Sequence, residues 1–193
     1  MTAILLCAGL SERMGRQKLN LELDGKPLYT HAVDYIASSA PARFIIVASR
    51  ELEEIERICE LNNAELIFND EREKGLSHSF SLALSEIEPD GGGVSLFLAD
   101  KPFITVETIR RIYEIYEQNQ DCFIRPFSNG VPGHPVVFSS DWLKHTFFRE
   151  NGMKSTMKRF PDRVIEVEIP EISVFDIDTP QDYQKALVIN KFK

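Results

Sequence analysis

The sequence predicts an α/β fold: a mainly parallel sheet with helices on both faces and an antiparallel addition at one edge. Three observations carry this. Short apolar runs alternate with stretches of helical periodicity through the first half of the chain. Those runs are nearly continuous in apolar residues, as strands covered on both faces require. The later strand-like runs are separated by a short turn around Asn129, Gly130, Pro132 and Gly133, which suits hairpin neighbours. No linker, repeat or low-complexity stretch interrupts the 193 residues, so one domain over 1–193 is expected.

Taken in order, residues 3–7 (AILLC) are apolar, bounded and too short for a helix, which reads as a buried strand. Pro27 is expected in the first turn of a helix through about Ser38, where its missing N–H costs nothing. Residues 44–48 read as a second buried strand. Residues 51–61 carry Leu52, Ile55, Ile58 and Cys59 at helical spacing. Residues 66–68 form a third short strand, and 77–87 a helix with Ser77 as its N-cap. Gly91, Gly92 and Gly93 mark a turn before 94–98, the strongest central strand. Thr105 caps a helix bearing Ile109, Ile112, Tyr113 and Tyr116. Residues 122–124 and 135–138 are strands, and 164–168 alternates as a half-exposed strand does. The last helix starts with Thr179 as N-cap and Pro180 at its first position. In sheets of this kind ligands bind beyond the C-terminal strand ends, so chemistry is expected directly after Cys7, Phe68, Leu98 and Phe175.

Composition narrows the function. The formal net charge is −8, which argues against a general nucleic-acid surface; a bound anion must meet a local cluster of cations. Cys7, Cys59 and Cys122 are widely spaced and odd in number, so they read as buried small hydrophobes in a reduced compartment. No basic N-terminal region or long apolar stretch suggests a signal peptide or membrane span, and a cytoplasmic protein is expected.

The stretch after the first strand is the richest in chemistry. Gly9, Ser11 and Gly15 let backbone N–H groups approach an anion, and Arg13, Arg16 and Lys18 put three cations on one loop. Arg13 can fork onto phosphate oxygens, and Lys18 can act as a point charge on a phosphoryl group. The spacing matches neither GxGxxG nor GxxxxGK[ST]. The residues Leu5, Leu6, Ala8, Gly9, Ser11, Arg13, Met14, Gly15, Lys18 and Leu19, in that spacing, resemble the signature of MobA-like nucleotidyltransferases, especially molybdenum cofactor cytidylyltransferases. The resemblance continues through Gly25, Lys26, Pro27 and Leu28, then Gly75, Ser77 and Ser79, and the Ala99-Asp100-Lys101-Pro102 segment. It ends with Gly133, His134, Pro135 and with Asp176, Asp178, Thr179, Pro180 and Asp182. Several motifs in the family's order are far more specific than any one of them.

The resemblance implies a Rossmann-like fold of the nucleotide-diphospho-sugar transferase type. It also implies Mg²⁺-dependent transfer of CMP from CTP to the phosphate of molybdopterin cofactor, with release of pyrophosphate. Leu6, Ala8, Gly9, Ser11, Arg13, Lys18, Gly75 and Ser77 would contact the nucleotide, with Arg13, Lys18 and Asp100 catalytic. Asp100, at a strand tip kept extended by Pro102, and Asp178 would hold Mg²⁺, a hard cation suited to carboxylate and phosphate oxygens. For each, the other reading is a turn or cap residue. His134 and Lys154 would meet the acceptor, although Met153 departs from the family's pattern there. The attacking phosphate is already ionised, so no strong base or nucleophilic side chain is required, and catalysis would rest on positioning and charge neutralisation.

Two other departures matter. Cys7 stands where cytidylyltransferases commonly have Ala and guanylyltransferases Gly; its size leans towards CTP. Lys101 follows the metal Asp where an uncharged residue is more usual, and would either weaken metal binding or add a phosphate contact. Other readings keep the chemistry with a different acceptor, such as a sugar phosphate, or make the chain a non-catalytic chaperone delivering the cofactor to a molybdenum hydroxylase. No nucleic acid or membrane partner is implied.

Overall fold

The computed structural model describes residues 1–190; the last three positions of the expected domain, 191–193, lie outside the described residues, as do the side chains of 146, 147, 149–151 and 190. The elements follow in chain order: β1 (Thr2–Cys7), the hairpin β2 (Glu22–Leu23) and β3 (Lys26–Pro27), α1 (Leu28–Ser38), β4 (Arg43–Ala48), α2 (Ile55–Leu61) and β5 (Glu65–Phe68). Then come α3 (Leu76–Leu84), β6 (Gly93–Leu98), α4 (Val106–Glu117), β7 (Phe123–Ser128), β8 (Val131–Pro132), β9 (Val136–Ser139), α5 (Thr146–Arg159), β10 (Val164–Glu168) and α6 (Pro180–Asn190).

The main sheet runs in the order β10-β7-β9-β6-β1-β4-β5, with β8 added to β7. Strands β6, β1, β4 and β5 are parallel, in a register that sets Leu6 beside Leu98 and Val47. Their C-terminal ends therefore share one edge. Strand β9 is antiparallel to both β6 and β7, so its first residues reach that same edge from the opposite direction. The mainly parallel sheet with antiparallel pairing on its later side is the architecture the sequence predicts.

The alternation of β1 shows why the sheet needs helices on both faces. Ala3, Leu5 and Cys7 pack in one core with α1 residues such as Val33 and Ile36, while Ile4 and Leu6 pack in another with Phe80 and Phe138. The start of β6 is tight: a Cβ at Gly93 would lie 2.7 Å from the Tyr116 ring.

Several element ends differ from expectation, each through tertiary contacts. Pro27 is the residue before α1 rather than its first, because it pairs with Glu22 across the Asp24-Gly25 turn, where both residues take positive φ. The helix expected over 51–61 begins only at Ile55. Before it, the side chain of Asn20 bonds the Glu51 carbonyl at 2.8 Å and the Glu53 N–H at 3.2 Å, holding a turn that still buries Leu52. Gly75, not Ser77, precedes α3; Ser77 lies inside the helix, which ends at Leu84 rather than Ile87. Cys7 and Cys59 are buried, whereas Cys122 is only half-buried. Thr105 and Thr179 cap their helices as expected, the latter in reciprocal hydrogen bonds with Asp182.

Candidate active site

A cleft of about 490 Å³ opens at the C-terminal edge of the parallel strands. Of the residues expected to meet the nucleotide or the metal, Leu6, Ala8, Gly9, Ser11, Arg13, Lys18, Gly75, Asp100 and Asp178 line it. Ser77 and Lys154 line a neighbouring, larger cleft of about 720 Å³ between α3 and α5; the two clefts share Leu6 and Leu76. His134 lines neither.

The loop after β1 folds back on itself. Ser11 and Gly15 both adopt left-handed backbone, closing a single 3-10 turn between them. The Ser11 hydroxyl donates to Gln17 Oε1 at 2.9 Å and accepts the Lys18 N–H at 3.2 Å, which returns Lys18 to the strand edge that the chain has just left. A Cβ added at Gly9 or at Gly75 would meet nothing within 4 Å, so the backbone there faces open space.

Lys18 is the centre of the polar cluster. It is buried, and its Nζ donates to Asp100 Oδ2 at 2.9 Å and to Asp178 Oδ1 at 2.7 Å. The other oxygen of Asp178 takes the exposed Arg13 guanidinium at 2.8 Å. Burial works against the ammonium, but the charge of Asp100 and the hydrogen bonds to both carboxylates outweigh it and raise the Lys18 pKa. Partial burial likewise opposes ionisation of Asp178, and Lys18 and Arg13 together hold its carboxyl below the ordinary value. Two carboxylates and two cations thus face one another at the cleft. Arg16 stays exposed and does not line it.

The two carboxylates come from distant segments joined by backbone. The Ile177 N–H donates to the Asp100 carbonyl at 3.0 Å, with the Ile177 side chain fully buried beneath. Lys101 reinforces this join: buried, it donates to the Val174 carbonyl at 2.9 Å and pairs with Asp176 at 3.5 Å. It points away from the cleft, so it is a tether for the segment carrying Asp178 rather than a ligand contact. Asp176 and Asp178 lie on either side of buried Ile177 with different partners.

His134 is half-buried, and its Nδ1 lies 2.9 Å from the Leu96 carbonyl, which can only accept. Burial pushes its pKa down to about 4, against the opposing pull of that carbonyl. The imidazole is therefore neutral near pH 7, with the proton on Nδ1. An unfolded His titrates near ~6.5, so the unfolded chain takes the proton first on acidification. Stability from this group is complete above about pH 6.5 and falls as pH drops towards 4. Between pH 7 and 5 the wild type is expected to lose about 2 kcal/mol more than His134→Gln in urea unfolding. Equal losses would place this histidine in solvent.

Cys7 packs in the core with Leu5 and Val33 and does not line the cleft. Arg72, which sequence reading missed, does line the cleft and bonds the carbonyls of Ala8 and Gly9 at 3.1 and 3.0 Å. It sits in the stretch Asp70, Glu71, Arg72, Glu73, Lys74, whose charges look like an ordinary solvated loop. Its position four residues past β5 was the available signal.

Residues 3–162 match the model of a family described as the MobA-like NTP transferase domain. A molybdenum cofactor cytidylyltransferase from Escherichia coli is 28% identical over 95% of this chain and 93% of its own length. The purine catabolism protein PucB of Bacillus subtilis is 26% identical over 93% of this chain and 92% of its own. The bifunctional protein GlmU of Caldicellulosiruptor saccharolyticus is 28% identical over 58% of this chain, which is only 24% of GlmU. Among solved structures, a nucleotidyl transferase from Methanothermobacter superposes with a TM-score of 0.80 at 20% identity, covering 99% of this chain and 97% of that one. A Mycobacterium tuberculosis protein solved as a complex with manganese gives 0.74 at 22% identity, covering 97% of each.

Proposed function

The chain belongs to the MobA-like NTP transferase family, and from that premise we propose that it transfers CMP from CTP to the phosphate of a molybdopterin-type cofactor, releasing pyrophosphate. The observation that carries the reading is the Lys18 ammonium set between Asp100 and Asp178, with Arg13 on the second carboxylate, in a cleft walled by the glycine-bearing loop. Such a cluster holds both the cations a triphosphate needs and the carboxylates a divalent metal needs.

The residues fit a Mg²⁺ ion. Oδ1 of Asp100 is buried and has no hydrogen-bond partner among the described residues, a position suited to a hard cation. Among the described residues no group of three or more His, Cys, Asp or Glu is gathered for a metal. Two carboxylates suit Mg²⁺, which characteristically completes its shell with phosphate and water oxygens. When bound, the ion would neutralise phosphate charge. The relative solved with manganese supports a divalent metal.

In this reading Lys18 and Arg13 leave the carboxylates for phosphate oxygens, Arg13 as a fork and Lys18 as a point charge. Backbone at Ala8, Gly9 and Ser11, with Leu6 and Gly75, cradles the nucleotide, and Ser77 borders it where the clefts meet. The acceptor occupies the second cleft, with Lys154 at its wall and neutral His134 shaping the strand edge. The acceptor's own phosphate is the nucleophile, so the chain orients it and excludes water without abstracting a proton. One unit over 1–193 working in the cytoplasm, and passing its product to a molybdenum hydroxylase, completes the proposal; no described helix is long and apolar enough to cross a membrane.

The choice of molybdopterin and of CTP rests on the cytidylyltransferase relative, which aligns with nearly the whole chain. A second reading keeps the chemistry and changes the acceptor to another phosphorylated metabolite such as a sugar phosphate, and the partial match to GlmU supports testing it. The test is Mg²⁺-dependent pyrophosphate release with each common NTP, with and without molybdopterin cofactor and against a panel of phosphorylated compounds. The expected result is CTP- and cofactor-dependent release. Turnover with GTP alone would overturn the base, turnover on another acceptor the cofactor. Cofactor binding without pyrophosphate release would instead make the chain a chaperone.

A further inference from the structure

We propose that Arg72 and Glu51 form a positioning pair that sets the shape of the loop carrying Lys18, an inference that rests on reading the cleft as a triphosphate site. Arg72 uses three sides of its guanidinium: Nε to the Ala8 carbonyl, Nη2 to the Gly9 carbonyl, and Nη1 to Glu51 Oε1 at 2.8 Å. Its side chain is only 13% exposed although it belongs to a surface turn. The other oxygen of Glu51 accepts from Gln17 Nε2 at 3.3 Å. Gln17 Oε1 takes the Ser11 hydroxyl, and that hydroxyl accepts the Lys18 N–H.

The result is a chain of hydrogen bonds from the turn after β5, through the turn after β4, to the backbone of Lys18. It clamps the loop at both ends, at Ala8 and Gly9 where the loop leaves β1 and at Gln17 and Lys18 where it returns. The planar fork of Arg is what allows two carbonyls and a carboxylate to be held together; an ammonium cannot reproduce that geometry. Arg72 holds the Glu51 carboxyl below its ordinary pKa, so the link stays charged through neutral pH. Glu51 itself does not line the cleft, so it can affect a nucleotide only through this network. That separates positioning from direct contact.

The experiment compares wild type with Arg72→Gln, Glu51→Gln, the double variant and Arg72→Lys. Two readouts are needed: KM for CTP against kcat, and hydrogen exchange at the Lys18 and Leu19 amides of the ligand-free protein. Each Gln variant is expected to raise KM about tenfold with a smaller fall in kcat, and the double to be no worse than the worse single, as residues of one network behave. Arg72→Lys should recover little. Exchange at the two amides should quicken in both single variants with the unfolding midpoint unchanged. Unchanged exchange in Arg72→Gln would overturn the proposal. So would a KM effect confined to Arg72→Gln, or effects of the two single variants that add in the double, either of which would make Arg72 a direct phosphate contact. If the wild type turns over no triphosphate, the functional reading falls, and the exchange result decides the loop's positioning by itself.

Discussion

Asp100→Asn is expected to cut turnover at least about a hundredfold while leaving the fold intact. The substitution keeps the size of the side chain and one oxygen for Lys18, and removes the negative charge. Asp100 follows the tip of β6, its Oδ2 bonded to Lys18 at 2.9 Å and its Oδ1 buried without a partner. Were the carboxylate only a turn residue with an ion pair, its loss would cost about 1 kcal/mol of stability or less and nothing in rate. A preorganised charge in a site that stabilises developing phosphate charge is worth roughly 2.7–4 kcal/mol, or about 10²–10³ in rate. The two expectations differ by two orders of magnitude in kcat/KM. Near-normal turnover in a folded variant would remove Asp100 from the reaction.

Lys18→Met carries an equal effect on rate and an additional one on stability. Methionine fills the stem of the lysine but leaves two carboxylates facing each other without the ammonium, and turnover should again fall about 10²–10³-fold. Stability should fall by roughly 1–3 kcal/mol at pH 7, less than a wholly buried pair would lose, because the carboxylates are 20% and 24% exposed and Arg13 remains on Asp178. The pH dependence has a definite sign. Asp178 is held below its ordinary value, so its share of the stability is present above about pH 4 and is lost as pH falls through its folded pKa. Lys18 is raised, so its share is present below about pH 10.4 and is lost as pH rises through its folded pKa. The gap between wild type and Lys18→Met should therefore be widest between those limits and narrow on acidification. A gap constant from pH 7 to 3, measured by urea unfolding, would contradict the ion-pair account.

What the sequence made legible follows a physical division. Strand cores such as 3–7 and 94–98 are readable because burial on both faces demands continuous apolar residues, and the positions just beyond them are where a parallel sheet opens. Asp100, Lys18 and the glycine-bearing loop could be found on that basis, and the motif order tied them to Asp178, some eighty residues further on. Contacts that depend on folding were invisible. Nothing in the periodicity of 51–61 announces that Asn20 pins its first turn and delays the helix to Ile55. Ser77 has the composition of an N-cap, but Gly75, with φ of 81°, already makes the bend into α3. Lys101 left two readings open in the sequence; its burial against the Val174 carbonyl turns it into a tether for the Asp178 segment. Arg72 was hidden among like-looking charges, and only the fold reveals that its partners are backbone carbonyls of the loop. The size of Cys7 does not bear directly on a base, because its side chain faces the core.

The cluster of Lys18, Arg13, Asp100 and Asp178 is expected to serve transfer of a nucleotidyl group, rather than hydrolysis or simple binding. CTP labelled separately at its α and γ phosphates, incubated with Mg²⁺, the protein and molybdopterin cofactor, distinguishes the three outcomes. The α label should appear in the cofactor and the γ label in pyrophosphate, in equal amounts, with both signals falling at least about a hundredfold in Asp100→Asn. Release of γ label as orthophosphate, or α label that never reaches an acceptor, would contradict it.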